Sequence, residues 1–261
     1  MSSSQDGYDP NFFEHLFKSE DKHFWFQSRN HIIASLVRQM TTTWSSGYQV
    51  LEVGCGDGNV LRVLESICTD GLVIGMDLFS QGLRRARQRV ACPLVQGDMH
   101  MPPFRSNFRI IGLYDVLEHL PDDKQVLCDL HEMLTPDGLL MLTVPAHMRL
   151  WSYFDEASHH CRRYSHSDLT EKLQNAGFHI EYISYYMLTL YPIVWLTRRI
   201  SSSLKKRTQL SEYELALQEL RISPLLNLLL NLILRWEQAA ISARYTLSFG
   251  TSLVVIARKQ Y

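Results

Sequence analysis

The residues of this 261-residue chain best suited to chemistry are two carboxylates set around a cluster of glycines. Val50-Leu51-Glu52-Val53 is an apolar run that ends in Gly54-Cys55-Gly56-Asp57-Gly58-Asn59. Glycines at alternate positions let the backbone turn tightly and approach a ligand with no Cβ in the way. A helix starting after them offers unpaired N–H groups to that ligand. Glu52, just ahead of the first glycine, would repel a pyrophosphate and favour a cationic amino-acid ligand. Asp77 closes the next apolar run, where a carboxylate can accept hydrogen bonds from both hydroxyls of a ribose. Glu52, Gly54, Cys55, Gly56, Asn59, Asp77 and the adjoining Leu78 therefore form the candidate cofactor-binding set. Cys55 itself reads as a packing residue of the loop, because no His or Asp partner beside it would make it a nucleophile. Asp57 reads as a solvated loop residue.

A second group is built from histidines. Glu118-His119 resembles half a metal site, but no matching Glu/His pair follows at ligand spacing, so no metal is expected. Pro145-Ala146-His147 and His159-His160-Cys161-Arg162-Arg163-Tyr164 come later. Their position after apolar runs puts His119, His147 and His160 on loops where parallel sheets bind ligands. An imidazole there titrates near neutral pH and can act as a general base.

These residues need a frame. Short apolar runs at Gln49–Val53, Leu72–Asp77, Pro93–Gln96, Phe108–Tyr114 and Leu139–Val144 alternate with helical patterns at Val60–Ile67, Ser80–Val90 and Lys124–Leu134. Phe178–Tyr185 and Ser252–Ala257 read as a sixth and a seventh strand. Such alternation predicts an α/β fold with a mostly parallel sheet covered on both faces. Ahead of it, His23-Phe24-Trp25-Phe26 precedes a helix marked by Ile32, Ile33, Leu36, Val37 and Met40. Before the last strand, Met187–Trp195 and Pro224–Trp236 are almost wholly apolar. Asn227, Asn231 and Arg235 fall four apart and form one narrow polar stripe on the second of these, a helix apolar enough to need cover on most sides.

Composition narrows the classes further. A net charge of −1 supplies no field for nucleic acid. Five scattered cysteines suggest neither a disulfide framework nor a zinc site and suit a reducing compartment. The polar start argues against a secretory signal, and no apolar run is long enough to span a bilayer. A cytoplasmic protein, in peripheral contact with a membrane at most, is expected. On the residues alone, a nicotinamide-dependent oxidoreductase and a non-catalytic membrane-associated binding protein stay open beside a transferase.

The sequence resembles the class I S-adenosylmethionine-dependent methyltransferases of the small-molecule branch, through Glu52-Val53-Gly54-Cys55-Gly56-Asp57-Gly58. Three further segments carry the likeness: Gln96-Gly97-Asp98-Met99, Tyr114-Asp115-Val116-Leu117-Glu118-His119-Leu120, and Leu134-Thr135-Pro136-Asp137-Gly138, where Asp137 departs from the usual glycine. His23-Phe24-Trp25-Phe26-Gln27-Ser28-Arg29 and His160-Cys161-Arg162-Arg163-Tyr164 resemble segments of one bacterial subgroup. The resemblance implies a seven-stranded, mostly parallel Rossmann-like sheet with helices on both faces; the helical insertion before the last strand departs from the short hairpin usual there. It implies S-adenosyl-L-methionine as cofactor, with Asp98 at the adenine amino group, Met99 on the ring, and Tyr114 and Leu117 on the methionine side. Trp25 and Arg29 would form a lid, Arg29 pairing with the methionine carboxylate. Residues 1–45 would be lid and helix, 46–185 with 250–261 the cofactor-binding core, and 186–249 the insertion. His160, then His119, with Tyr164 of the same segment, are the candidate catalytic residues. They would act on an oxygen or nitrogen atom of a small, apolar acceptor received by the insertion, which would alternatively dock on a membrane surface through Arg198, Arg199, Lys205, Lys206 and Arg207.

Overall fold

The computed structural model describes residues 19–105, 107–204 and 222–260, with the backbone alone over 199–204. Its centre is one sheet of seven strands: β1 (Gln49–Val53), β2 (Leu72–Asp77), β3 (Leu94–Gln96), β4 (Phe108–Tyr114), β5 (Leu134–Pro145), β6 (Phe178–Tyr186) and β7 (Ser252–Lys259). They lie in the order β3-β2-β1-β4-β5-β7-β6. The first five run parallel, and β7 is antiparallel between β5 and β6. Parallel neighbours need crossover connections. Helices α2 (Asn59–Ile67), α3 (Ser80–Ala86) and α4 (Asp123–Met133) lie in them, the single turn α5 (Tyr153–Ala157) and α6 (His166–Asn175) lead from β5 to β6 across the place β7 fills, and α1 (Phe24–Thr41) precedes the sheet. The expected α/β class and mostly parallel sheet are what the chain forms.

Side chains alternate across the sheet with a period of two, and both faces are covered. Val50, Ile110, Met141 and Val254 join one apolar cluster with Ile32, Ile33, Leu36 and Val37 of α1. Leu51, Ile111, Leu140 and Val255 join the other with Leu127 and Leu130 of α4. Two covered faces explain why the strands read as continuous apolar runs. Each fully buried side chain of this kind contributes about 1.5–3 kcal/mol.

Most bounds match the sequence reading or shift by one or two residues, and three differ in ways that have a local reason. α1 begins at Phe24, so the three aromatics are its first turn and do not precede it, with His23 as N-cap accepting from the Trp25 N–H. β5 begins at Leu134 because Leu134 already pairs with Phe108, and the Pro136-Asp137-Gly138 turn sits inside the strand as a register irregularity. Asp137 takes the usual glycine's place there at φ +59°, a left-handed conformation that Asp tolerates better than most residues. α3 stops at Ala86, after which the Arg89 N–H reaches the Ala86 carbonyl in a tighter turn.

The insertion contributes α7 (Tyr191–Leu204) and α8 (Pro224–Ser242). Ser223 caps α8 through the Leu226 N–H, and Pro224 occupies its first turn, where a missing N–H costs nothing. The polar stripe on α8 faces the lid. Asn227 accepts from the Phe24 N–H at 2.7 Å and donates to the Lys22 carbonyl at 2.8 Å, and Asn231 donates to Gln27. Arg235, expected on that stripe, is exposed, and Gln238 continues the contact by donating to Ser28 at 3.1 Å. The expectation of cover on most sides fails: Leu225, Leu228, Leu229, Leu232 and Trp236 all stay exposed. Arg198 also departs from its expected place at a lipid surface. It turns inward to the Leu150 carbonyl and lies 3.8 Å from Asp155. Lys205, Lys206 and Arg207, the aromatics Tyr8, Phe12, Phe13 and Phe17, and the Arg199 side chain fall outside what is described. No described helix is long and apolar enough to cross a membrane.

Asn227→Ala removes two hydrogen bonds that seat the first turn of α1. It should lower the unfolding free energy by about 1–3 kcal/mol, at about 0.5–1.5 kcal/mol per bond, measured by urea melts. Leu228→Ser on the exposed face of the same helix should stay within about 0.5 kcal/mol. Equal losses in the two variants would show that the polar stripe is not what seats the lid helix.

Candidate functional site

In the centre of the sheet β1 and β4 are neighbours, yet the chain leaves them toward opposite edges. Such a switch point opens a crevice at the carboxyl ends of the strands. Here it holds a cavity of about 920 Å³. Its walls come from the loops after β1, β2 and β4, from α1, from the β5–α6 connection and from α7.

The glycine loop follows β1. Gly54, Gly56 and Gly58 have φ of +69°, +52° and +81°, which only glycine adopts without strain. A Cβ at Gly54 would come within 2.5 Å of Val116, whereas one at Gly56 would meet nothing within 4 Å. The Gly56 backbone thus fronts open space in the cavity wall. Asp77 holds this loop in place, one carboxylate oxygen accepting from the Gly56 N–H and the other from the Phe79 N–H, both at 2.8 Å. Burial raises its pKa and those two N–H groups oppose the rise. A carboxylate has about four acceptor positions, so two remain for a ribose.

Glu52 is 3% exposed, and its Oε2 has no hydrogen-bond partner. Burial pushes its pKa well above the usual carboxylate range, and Arg29 draws it part of the way back. A buried carboxylate of this kind in a cavity wall is a socket for a cation. Asn59 is also buried and is tied to α1 and the segment before it, accepting from Asn30 at 2.6 Å and donating to Asp21 at 3.2 Å. Asp57, read from sequence as solvated, instead pairs with Arg89 at 3.2 Å.

The lid residues reach the same cavity. Trp25 lines it, and the Arg29 guanidinium lies 5.1 Å from the Trp25 ring centre. Arg29 donates to Asp115 at 2.8 Å, an internal partner that sequence reasoning did not assign. Asp115 sits at φ +57° directly after β4. Glu20 also lines the cavity and was missed. It precedes the helix and belongs to no motif.

At the far end, Glu118 is fully buried and neither carboxylate oxygen has a hydrogen-bond partner. Burial raises its pKa strongly, with Asp115 adding to the effect. Burial lowers His119 to about 3, helped by His160, so its imidazole is neutral through the physiological range. The His119 and His160 rings stand edge to face, 4.7 Å apart. His160 Nδ1 lies 2.9 Å from Asp155, and Arg163 donates to the same Asp155 oxygen at 2.6 Å. Burial alone would raise Asp155, but His160 and Arg163 bring it down to about 2. One donor atom each from Glu118, His119 and His160 lie within 4.8 Å of one another. The sequence shows Glu118-His119 as a pair, and the fold brings His160 beside it. His160 supplies the third donor from the β5–α6 connection, a distance along the chain that no local spacing reveals.

Several expected site residues lie elsewhere. Tyr164 is fully buried behind the wall and donates to Asp123 at 2.8 Å, so it braces α4 and is not placed to act on a substrate. Leu117 and Met99 are core residues. Asp98 is in an exposed turn, accepting from the His100 N–H at 2.9 Å, and none of these four lines the cavity. His147 stacks on Tyr185 outside it. Cys55, Leu78 and Tyr114 are in the wall, and Cys55 is buried with its thiol pKa raised by burial, in keeping with a packing role.

A sheet with this switch point, a glycine loop after β1 and an acidic residue ending β2 define a nucleoside-binding α/β protein. The methyltransferase-domain family model matches residues 24–183, and the chain belongs to that family, the class I S-adenosylmethionine-dependent methyltransferases. It is 26% identical over 165 residues to a candidate S-adenosylmethionine-dependent methyltransferase of Mycolicibacterium smegmatis, covering 62% of each chain. It is 32% identical over 117 residues to trans-aconitate 2-methyltransferase of Azoarcus sp., covering 44% of this chain and 43% of that one. The chain thus spans less than two thirds of these relatives. Its fold also matches, with a TM-score of 0.62, 16% identity and full coverage of both chains, a chain from the Haloferax volcanii complex between the Trm112 methyltransferase activator and a candidate methyltransferase.

Gly56→Val should cost only about 1–2 kcal/mol of stability for its left-handed backbone, yet place a side chain in the space before the loop and abolish S-adenosylmethionine binding. A folded variant that binds with wild-type affinity in a calorimetric titration would place the cofactor elsewhere. Glu52 yields a second expectation. A cationic ligand favours the ionised form of a group whose pKa is raised, so binding at neutral pH should release protons and tighten as pH rises. Calorimetry in buffers of different ionisation enthalpy reads this directly, and Glu52→Gln should abolish the release.

Proposed function

We propose that this chain transfers the methyl group of S-adenosylmethionine to an oxygen or nitrogen atom of a small acceptor with an apolar body. The observation that carries the reading is a single cavity lined both by the glycine loop and Glu52, whose Oε2 has no hydrogen-bond partner, and by Glu118, His119 and His160. Leu190, just ahead of α7, and Val194 and Thr197 of α7 line this cavity with Phe154, which suits an acceptor with apolar surface. The bound cofactor supplies an activated methyl: an acceptor lone pair bonds to the methyl carbon as the carbon–sulfur bond breaks, and its electrons stay on sulfur. The protein's residues do the rest. Gly56, Asp77 and Glu52 orient the nucleoside and amino-acid ends, and α1 and α7 exclude water so that acceptor, carbon and sulfur align. The acceptor's proton leaves at the histidine cluster, where Asp155 fixes the His160 ring.

The exposed leucines of α8 lie outside the cavity, and a membrane surface is the reading we attach to them: it would bring an apolar acceptor to the cap. Co-sedimentation with anionic liposomes at low and high salt tests that part.

The chemistry is tested by measuring S-adenosylhomocysteine formation against apolar and highly polar acceptors. His160→Ala should lower kcat about a hundred- to ten-thousand-fold while leaving cofactor affinity intact, with His119→Ala the next most affected. Absence of turnover with every acceptor, or unchanged turnover in both variants across about pH 6–9, would refute this assignment of the cluster.

A further inference from the structure

We propose that Glu118, His119 and His160 bind one divalent first-row transition-metal ion at the acceptor end of the cavity. Three observations meet there. One donor atom from each residue lies within 4.8 Å of the other two, close enough to share an ion. Glu118 is fully buried, lines the cavity, and has no hydrogen-bond partner on either oxygen. Buried carboxylates are otherwise paired or metal-bound. The cations nearby are spent on another carboxylate: Arg163 on Asp155, with Arg198 also beside it.

His160 supplies the third observation. Its Nδ1 is 2.9 Å from Asp155 Oδ1 and its ring faces His119. A carboxylate that holds one ring nitrogen fixes the tautomer and leaves Nε2 unprotonated as a ligand, the usual outer-shell arrangement at metal-bound histidines. Asp155 is itself held by Arg163 and by the Ser152 N–H.

The donor set selects the ion. Two imidazoles and a carboxylate suit zinc, cobalt, manganese or iron(II), whereas calcium and magnesium prefer oxygen throughout. Three protein ligands leave a position open toward the cavity. If the methyl-transfer reading holds, on which this consequence rests, an acceptor hydroxyl takes that position. The ion lowers its pKa and takes the place of direct proton transfer to the histidines: the proton is released to solvent as the acceptor enters, before the cavity closes and the oxygen attacks. The site would thus select an oxygen acceptor.

The full chain, stripped with a chelator, is titrated with Zn²⁺ by calorimetry and with Co²⁺ by visible absorption. One ion per chain is expected. Glu118→Gln and His160→Ala should weaken binding at least a hundredfold, and Asp155→Asn, which alters only the outer shell, about ten- to a hundredfold. Cys128 and Cys161 are exposed thiols, so the Cys128→Ser/Cys161→Ser double variant should bind as wild type. S-adenosylmethionine titrations of the same variants check folding and stay unchanged. No stoichiometric ion in the wild-type chain, full binding in Glu118→Gln and His160→Ala, or loss of binding in the cysteine variant would each overturn the site. Metal binding without cofactor binding would refute the methyl-transfer reading and leave the metal site standing.

Discussion

The partly buried pair of Arg29 and Asp115 is the contact on which the cavity depends. Arg29 comes from the first turns of α1 and Asp115 from the loop after β4, and their side chains, 8% and 18% exposed, meet at 2.8 Å. The pair closes α1 over the gap where β1 and β4 diverge. Breaking such a pair by removing one partner costs about 3–5 kcal/mol, because the other charge is left buried alone. A second set of charges latches the segment just before that helix to the glycine loop: Arg89 reaches Asp57 at 3.2 Å and Asp21 at 3.3 Å. Asp21 is more exposed, so this latch is the weaker one.

The frame was legible in the sequence because its physics is local or periodic. Apolar runs bounded by turns located all seven strands, and the glycine spacing located the loop after β1. Glu52 and Asp77 were found because strand ends point to a known edge of the sheet. What escaped notice depends on distant residues meeting. Asp115 stood in a quoted motif, but nothing local shows that its partner is Arg29. Asp155 carries one local signal, the capping box with Ser152, and this tells of a helix start and nothing of His160. Tyr164 shows the opposite error: its segment pointed to the active-site mouth, yet its side chain turns into the core, because the strand-like pairing of Ala146 with Tyr164 sets the direction.

Glu52 shows how the cavity couples stability to occupancy. Its folded pKa lies well above the unfolded value, so the folded chain keeps a proton that the unfolded chain loses. Its contribution therefore falls as pH rises above the ordinary carboxylate range. Asp155 runs the other way: with a folded pKa of about 2, it contributes fully above the unfolded value near 4 and loses that as pH falls toward 2. The two carboxylates differ only in their partners. Asp155 has two cations and a histidine around it, whereas Glu52 faces space that a ligand can fill.

The insertion joins these parts. One helix, α8, seats the lid through Asn227 and Asn231, and its Glu237 accepts from the Leu188 and Thr189 N–H groups at 3.0 and 2.9 Å, which fixes the turn into α7. The other helix, α7, lines the cavity through Val194 and Thr197 and sends Arg198 to the Asp155 cluster. Movement of α8 would therefore displace α1 and α7, two walls of the cavity, together. The apolar face that α8 leaves uncovered is on the element that grips both, so whatever covers that face also acts on the geometry of the cavity.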